Sequence, residues 1–104
     1  MYIMGTINFI ITDNTAEHVF NKETFKYMYS SYSSGTTGSI YVYFASEGNI
    51  VDPDLITLTV NLAFIGKVVK DISENINHNG HGEIKHSQSS GLYKQITAMT
   101  YTAG

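Results

Sequence analysis

From Gly5 to Thr12 the side chains alternate, with Ile7, Phe9 and Ile11 on one side and Thr6, Asn8 and Thr12 on the other. Period two marks a half-buried strand. Ile10 interrupts the polar side, so that side is read as partly covered. Asp13-Asn14-Thr15 follows with turn chemistry. Ser39 to Ser46 alternates in the same way, Ile40, Val42 and Phe44 against Tyr41, Tyr43 and Ala45. Leu55 to Leu62 repeats it, with Ile56, Leu58, Val60 and Leu62 against Thr57, Thr59 and Asn61. A last run, Leu92 to Thr102, sets Thr97, Met99 and Tyr101 opposite Ile96, Ala98 and Thr100. The single proline, Pro53, falls outside all these runs, in the turn that begins at Glu47-Gly48-Asn49 and extends through Asp52-Pro53-Asp54.

After Leu62 the period changes. Ile65, Val68, Val69, Ile72 and Ile76 recur at helical spacing, while Lys67, Lys70, Asp71 and Glu74 lie off that stripe. Gly80 stands where a helix commonly stops, so the spacing predicts a helix at about 65–78 leading directly out of a strand. Residues 16–34 fit two periods. Phe25, Tyr27 and Tyr29 alternate as a strand would; Phe25, Met28, Tyr29 and Tyr32 also fit a helical stripe, capped near Thr15 or Asn21. Aromatic enrichment favours the strand. Ser33 to Gly38 then becomes the tip of a long hairpin around 23–46. Residues 79–91 read as a loop with a short strand at Glu83 to His86.

These elements make one domain, 1–104, of the α+β class. The predicted body is a mostly antiparallel β-sheet of four to six strands with the one helix packed on one face. At 104 residues the chain buries enough surface for a core without staples. The opposite face of the sheet would carry Thr, Asn and Tyr.

Charge sharpens this picture. Only 14% of the residues are charged, against about 25% in an average protein, and the net charge is −3. Such a surface repels copies of itself weakly, which favours life in contact with neighbours. All six basic residues are Lys. Without Arg, the preferred side chain for phosphate and guanine, a nucleic-acid partner is disfavoured. There is no Cys, hence no disulfide framework, thiolate nucleophile or Cys-based zinc site. No apolar run approaches the roughly 18 residues of a membrane span, so no membrane partner is expected. The apolar start, Met1 to Ile11, lacks a basic leading region and a cleavage site and is read as part of the fold, not as a signal peptide.

Four clusters carry candidate chemistry. The segment 78–86 holds His78, His81 and His86 with Glu83, ligand types that divalent metals use. Its spacing matches no zinc signature, and a solvated turn after a helix, with His78 near the negative helix end, is the plainer reading. Asp13, Glu17 and His18 place carboxylates beside an imidazole, a pair able to move protons; no nucleophile or oxyanion loop accompanies them, so a polar turn is the plainer reading. Glu47, Asp52 and Asp54 do not follow the alternating calcium-loop pattern and read as turn residues. Gly35 and Gly38 lie among hydroxyls like a phosphate cradle, yet no Gly-Lys-Ser/Thr and no helix follow, and they read as a mobile hairpin tip.

The tyrosines weigh more. Tyr27, Tyr29, Tyr32, Tyr41 and Tyr43 fall in the two arms of the predicted hairpin. If the arms pair, the rings form a cross-strand cluster. Tyr combines apolar area with a hydrogen-bonding tip and is enriched where proteins meet. The same rings could stabilise the sheet alone or stack on sugars or bases.

In composition and style of architecture the chain resembles small accessory proteins of virus particles, in particular capsid-decorating or tail proteins of tailed bacteriophages. The resemblance covers the whole chain loosely and rests on no motif, so it assigns no role to any residue. It implies a non-enzymatic structural or assembly protein of the virion, without cofactor. Its partners would be other proteins, either copies of itself or a capsid or tail protein. The alternative is a small ligand- or metal-binding α+β domain, cytoplasmic, that uses the loop His78–His86.

Overall fold

The computed structural model describes residues 5–11, 16–32, 35–46, 49–86 and 91–104. Among the described residues, seven strands form two sheets. Strands β1 (Gly5–Ile11), β2 (Ala16–Asn21) and β6 (Gly80–Lys85) make a three-stranded sheet in the order β2-β1-β6. Strands β3 (Phe25–Ser31), β4 (Thr37–Ser46), β5 (Asn49–Asn61) and β7 (Ile96–Thr102) make a four-stranded sheet in the order β3-β4-β5-β7. Every pairing is antiparallel except β1 with β6. The one α-helix among the described residues, α1 (Ile65–Asn77), packs against the larger sheet and beside β6. The fold is α+β, as the alternation and the single helical stripe predict.

The ambiguous stretch 16–34 resolves as two strands, β2 and β3, split by a 3₁₀ turn at Lys22–Thr24. A continuous helix there would point Phe20 and Phe25 to different sides; as strands, both reach Phe44. Phe20 stacks on Phe44 at 4.2 Å, and Phe9 and Phe25 meet the same ring edge-on at 5.9 Å. This cluster ties the two sheets together. It continues into an apolar core that includes Ile40, Val42, Ile56, Leu58 and Val60 of the larger sheet and Ile65, Val68, Ile72 and Ile76 of the helix. Each such side chain, fully buried, contributes about 1.5–3 kcal/mol.

Other details depart from simple alternation. Pro53 lies inside β5, not in a turn outside it. Phe44 pairs with Asp54 and Ser46 with Asn49, so the register is irregular across Pro53 and its missing N–H withholds no ladder bond. In β7, Ile96 and Met99 are both buried although alternation puts them on opposite sides. A bulge explains it: Thr59 pairs with Ala98 and Val60 with Ile96, leaving Thr97 as the extra residue. The stretch read as a loop with a short strand at Glu83 to His86 carries a longer strand: β6 runs from Gly80 to Lys85 and fills the edge beside β1. Gly38 is no hairpin tip. It is buried in β4, and a Cβ there would strike Cδ1 of Ile65 at the start of α1. Gly82 plays the same part in β6, where a Cβ would strike Oδ1 of Asn75.

Lys22 is the one lysine in the interior, 2% exposed, and its Nζ donates to the carbonyl of His78 just past the end of α1, at 2.8 Å. A cation at that end meets the unpaired carbonyls and the negative pole of the helix. Burial lowers its pKa.

Candidate functional site

The pairing of β3 with β4 brings the predicted tyrosines together. Tyr27 is opposite Tyr43 and Tyr29 opposite Tyr41. The rings stack in one zigzag, 27–43–29–41, with centroid separations of 4.5, 6.1 and 4.9 Å and interplanar angles no larger than 29°. Burial of Ile40, Val42 and Phe44 on the inner side of β4 forces Tyr41 and Tyr43 to the outer side, since successive strand residues alternate. Tyr27 and Tyr29 remain 49% and 47% exposed. Tyr32, at 66%, lies beyond β3 and outside this stack.

Register extends the ladder across the sheet. Tyr43 is followed by Leu55 and Thr102, and Tyr41 by Thr57 and Thr100. The next row is Ser31, Ser39, Thr59 and Ala98. None of these side chains is charged at neutral pH. A hydrogen bond to Tyr29 holds the Tyr43 proton, and with partial burial it pushes the Tyr43 pKa up to about 12. Tyr43, within this face, therefore stays neutral well into alkaline solution. Stacking also covers most ring faces and turns edges and hydroxyls outward. A sugar or base that stacks needs an open ring face, whereas a protein surface uses edges and hydroxyls equally well.

The histidines of 78–86 are not gathered. His81 lies on the outer side of the smaller sheet, where Nδ1 meets the Thr6 hydroxyl at 2.8 Å and Nε2 lies 3.7 Å from Glu83. His86 follows the strand and is buried, with its backbone N–H bonded to the carbonyl of Ile10. His78 is exposed after the helix and offers its carbonyl to Lys22. Among the described residues no three His, Cys, Asp or Glu side chains form a group able to hold a metal.

Glu17 and His18 fall on β2, and Asp13 lies outside the described residues, as does Glu47. Asp52 is exposed, while Asp54 is turned into a groove it shares with Glu17 and His18. That groove, about 550 Å³, lies between β2 and the near ends of β4, β5 and β7. His18 stacks on Tyr101 at 4.1 Å. Burial raises the Tyr101 pKa, and so do the charge of Asp54 and the hydrogen bond to it. Sequence reasoning paired His18 with its chain neighbours and missed Tyr101 and Asp54, which come from other strands. It also missed Tyr93, whose hydroxyl reaches Asp71 at 2.7 Å and the carbonyl of Glu83 at 3.0 Å. Burial, then the bond to Asp71, raises its pKa.

No family model, no curated protein and no solved structure matches this chain.

Proposed function

We propose that this chain is a non-enzymatic assembly protein that works through protein–protein contacts made by the outer face of its larger sheet. The observation that carries the reading is the uncharged tyrosine–threonine face. Covering ionised side chains costs several kcal/mol per unpaired group, whereas tyrosine and threonine lose only hydroxyl hydration, which a partner's polar groups replace. The partner in this reading is a second copy of the chain or a capsid or tail protein, and the setting is the virion of a tailed bacteriophage. Low overall charge and the absence of Arg support a protein partner over a nucleic acid.

Size bears on how such a face works. Four strands spaced about 4.8 Å apart and three outward residues per strand span roughly 400 Å² of flat surface. A standard interface buries about 800 Å² per partner. The face alone makes weak contacts, which suits many-copy assembly, where linked contacts reinforce one another. Tyr32, exposed beside the hairpin end, extends the patch.

The test is the double variant Tyr41→Ser, Tyr43→Ser, read by light scattering across a concentration range, with circular dichroism as the check on folding. The wild type should form a discrete oligomer and the folded variant a smaller species. An unchanged oligomer in the folded variant, or a wild type that stays monomeric and unbound to particles, overturns the proposal.

A further inference from the structure

The tyrosine face ends at a strand edge. β3 is the outermost strand of the larger sheet, and among the described residues its backbone is paired only with β4. The row of N–H and C=O groups on its other side is a template for a further strand. Among the described residues the large hydrophobic side chains left exposed are Val19, Tyr27, Tyr29 and Tyr32, and only Val19 lies away from this edge. Edge strands are commonly blunted by charges, proline or bulges. Three of the four edges here are. β2 carries Glu17 and His18, and β6 carries Glu83 and Lys85. β7 is bulged at Thr97, and its Tyr101 is stacked against His18. β3 has such devices only at its start, where the register shift between Phe25 and Tyr27 coincides with Lys26. From Tyr27 to Ser31 the edge is regular, uncharged and free of proline.

A second copy of the chain matches this edge with its own β3. Antiparallel pairing about a two-fold axis perpendicular to the sheet closes the contact and keeps both tyrosine faces on one side. The two regular stretches overlap fully in one register. Tyr29 then lies opposite the partner's Tyr29, Met28 opposite the partner's Ser30, and Tyr27 opposite the partner's Ser31. A slip of one residue would set tyrosines against the inner side of the neighbouring sheet. A slip of two shortens the pairing, and in one direction draws the bulged Lys26 into it. Area favours the same arrangement. One copy's tyrosine face spans roughly 400 Å²; two in a continuous sheet span roughly 800 Å², what a standard interface buries per partner.

We infer that two copies pair through β3 about a two-fold axis at Tyr29, so that their larger sheets become one sheet with a continuous tyrosine face. The inference rests on the assembly reading and specifies its first contact: the edge joins the pair, and the joined face takes the next partner.

The chain has no cysteine, so single cysteines report the register. Tyr27→Cys, Tyr29→Cys and Ser31→Cys are each oxidised with glutathione disulfide in the full chain, and covalent dimer is followed by mass spectrometry. Directly opposed residues in an antiparallel pair have Cα atoms about 4.5–5.5 Å apart, within disulfide reach. Cysteine 29 should therefore cross-link at least about tenfold faster than cysteine 27 or 31, whose copies would lie four residues, or roughly 13 Å, apart along the strands. Should Tyr29→Cys loosen the pair, Met28→Cys mixed with Ser30→Cys leaves every tyrosine in place and should give the mixed dimer in preference to either homodimer. Ser30→Lys, exposed and on the side away from the tyrosines, should weaken the pair about tenfold or more by light scattering, because it sets a charge beside the partner's Met28. An oligomer that persists with no preference for position 29 and no mixed dimer, as pairing of β3 with the partner's β7 would give, overturns the inference and leaves the assembly reading standing. So does an oligomer untouched by Ser30→Lys. A wild type that stays monomeric overturns the pairing as well, and the assembly reading then stands on binding to particles alone.

Discussion

The two sheets turn different chemistry outward. On the smaller sheet, parity places Glu17, His81, Glu83 and Lys85 on the outer side, around Asn8 and Thr6 of the central strand. Lateral contacts tie them together: Thr6 to His81, His81 and Lys85 to Glu83, and Asn8 to Glu17. On the larger sheet the corresponding side has stacked phenols, hydroxyls and two apolar residues, Leu55 and Ala98. Both are outer sides of twisted sheets, and both rest on one interior. They differ in what it costs to remove water from them. The charged side keeps its solvation unless a partner offers matched charges, while the uncharged side is covered at little electrostatic cost. With few charges in the whole chain, none falls in the three rows of the tyrosine face.

The largest effect should come from the interior that joins the two sides. Phe44→Ala removes the ring that Phe9, Phe20 and Phe25 all touch and should cost about 3–5 kcal/mol in urea denaturation. Tyrosine fluorescence, reporting mainly the larger sheet, and far-UV circular dichroism should shift together. Separate transitions would mean that the two sides do not share one cooperative body.

Next, charge can be moved from one side to the other. Thr57 and Thr100 lie directly opposite on the tyrosine face. Thr57→Lys with Thr100→Lys should weaken assembly by more than about tenfold, because like charges brought together across an interface cost several kcal/mol. Glu83→Lys on the other side should leave assembly as it is, by light scattering. Equal losses from both changes would erase the distinction between the faces.

Alkaline pH separates the two sides more gently. Tyr43, Tyr93 and Tyr101 hold their protons more tightly folded than unfolded, where their pKa is 10.0. Their stabilising contribution is complete below pH 10 and is lost as pH rises beyond it, for Tyr43 between 10 and about 12. Lys22 acts in the opposite sense. Its folded pKa is lowered below 10.5, so stability gains as pH rises through the folded value towards 10.5. Three groups oppose one, and the urea midpoint should fall above pH 10. Tyr93→Phe should flatten that fall and cost about 1 kcal/mol near neutrality through the lost bond to Asp71. A midpoint that rises from pH 10 to 12 would contradict the tyrosine assignments.

The smallest effect belongs to the exposed pair Lys70–Glu74, 4.0 Å apart with side chains 78% and 59% exposed. Lys70→Ala should change stability by less than about 0.5 kcal/mol in the same denaturation assay.

Much of the fold is legible along the chain because strand and helix periods are local. The stripe Ile65, Val68, Ile72 and Ile76 faces the core as its spacing predicts, and all four are buried. The hairpin that sets Tyr27 against Tyr43 follows from two alternating arms and a polar connector. Where the pattern misleads, a non-local partner intervenes. Thr97 is bulged because the register with β5 slips by one residue, which carries Met99 inward beside Ile96. Residues 16–34 satisfy both periods, and the choice comes from Phe44, which takes Phe20 and Phe25 on opposite sides of a short turn.

The same division holds for function. The chain alone determined that the surface has few charges, no Arg and no Cys, and that its tyrosines sit at every second place in two neighbouring strands. Those properties are sums and short-range spacings, which need no knowledge of what lies across the molecule. Only the tertiary structure decided that His18 stacks on Tyr101 beside Asp54, and that His81 and His86 go separate ways. Such meetings depend on which strands become neighbours and in what register. That is settled by burying the core as a whole, through contacts tens of residues apart along the chain.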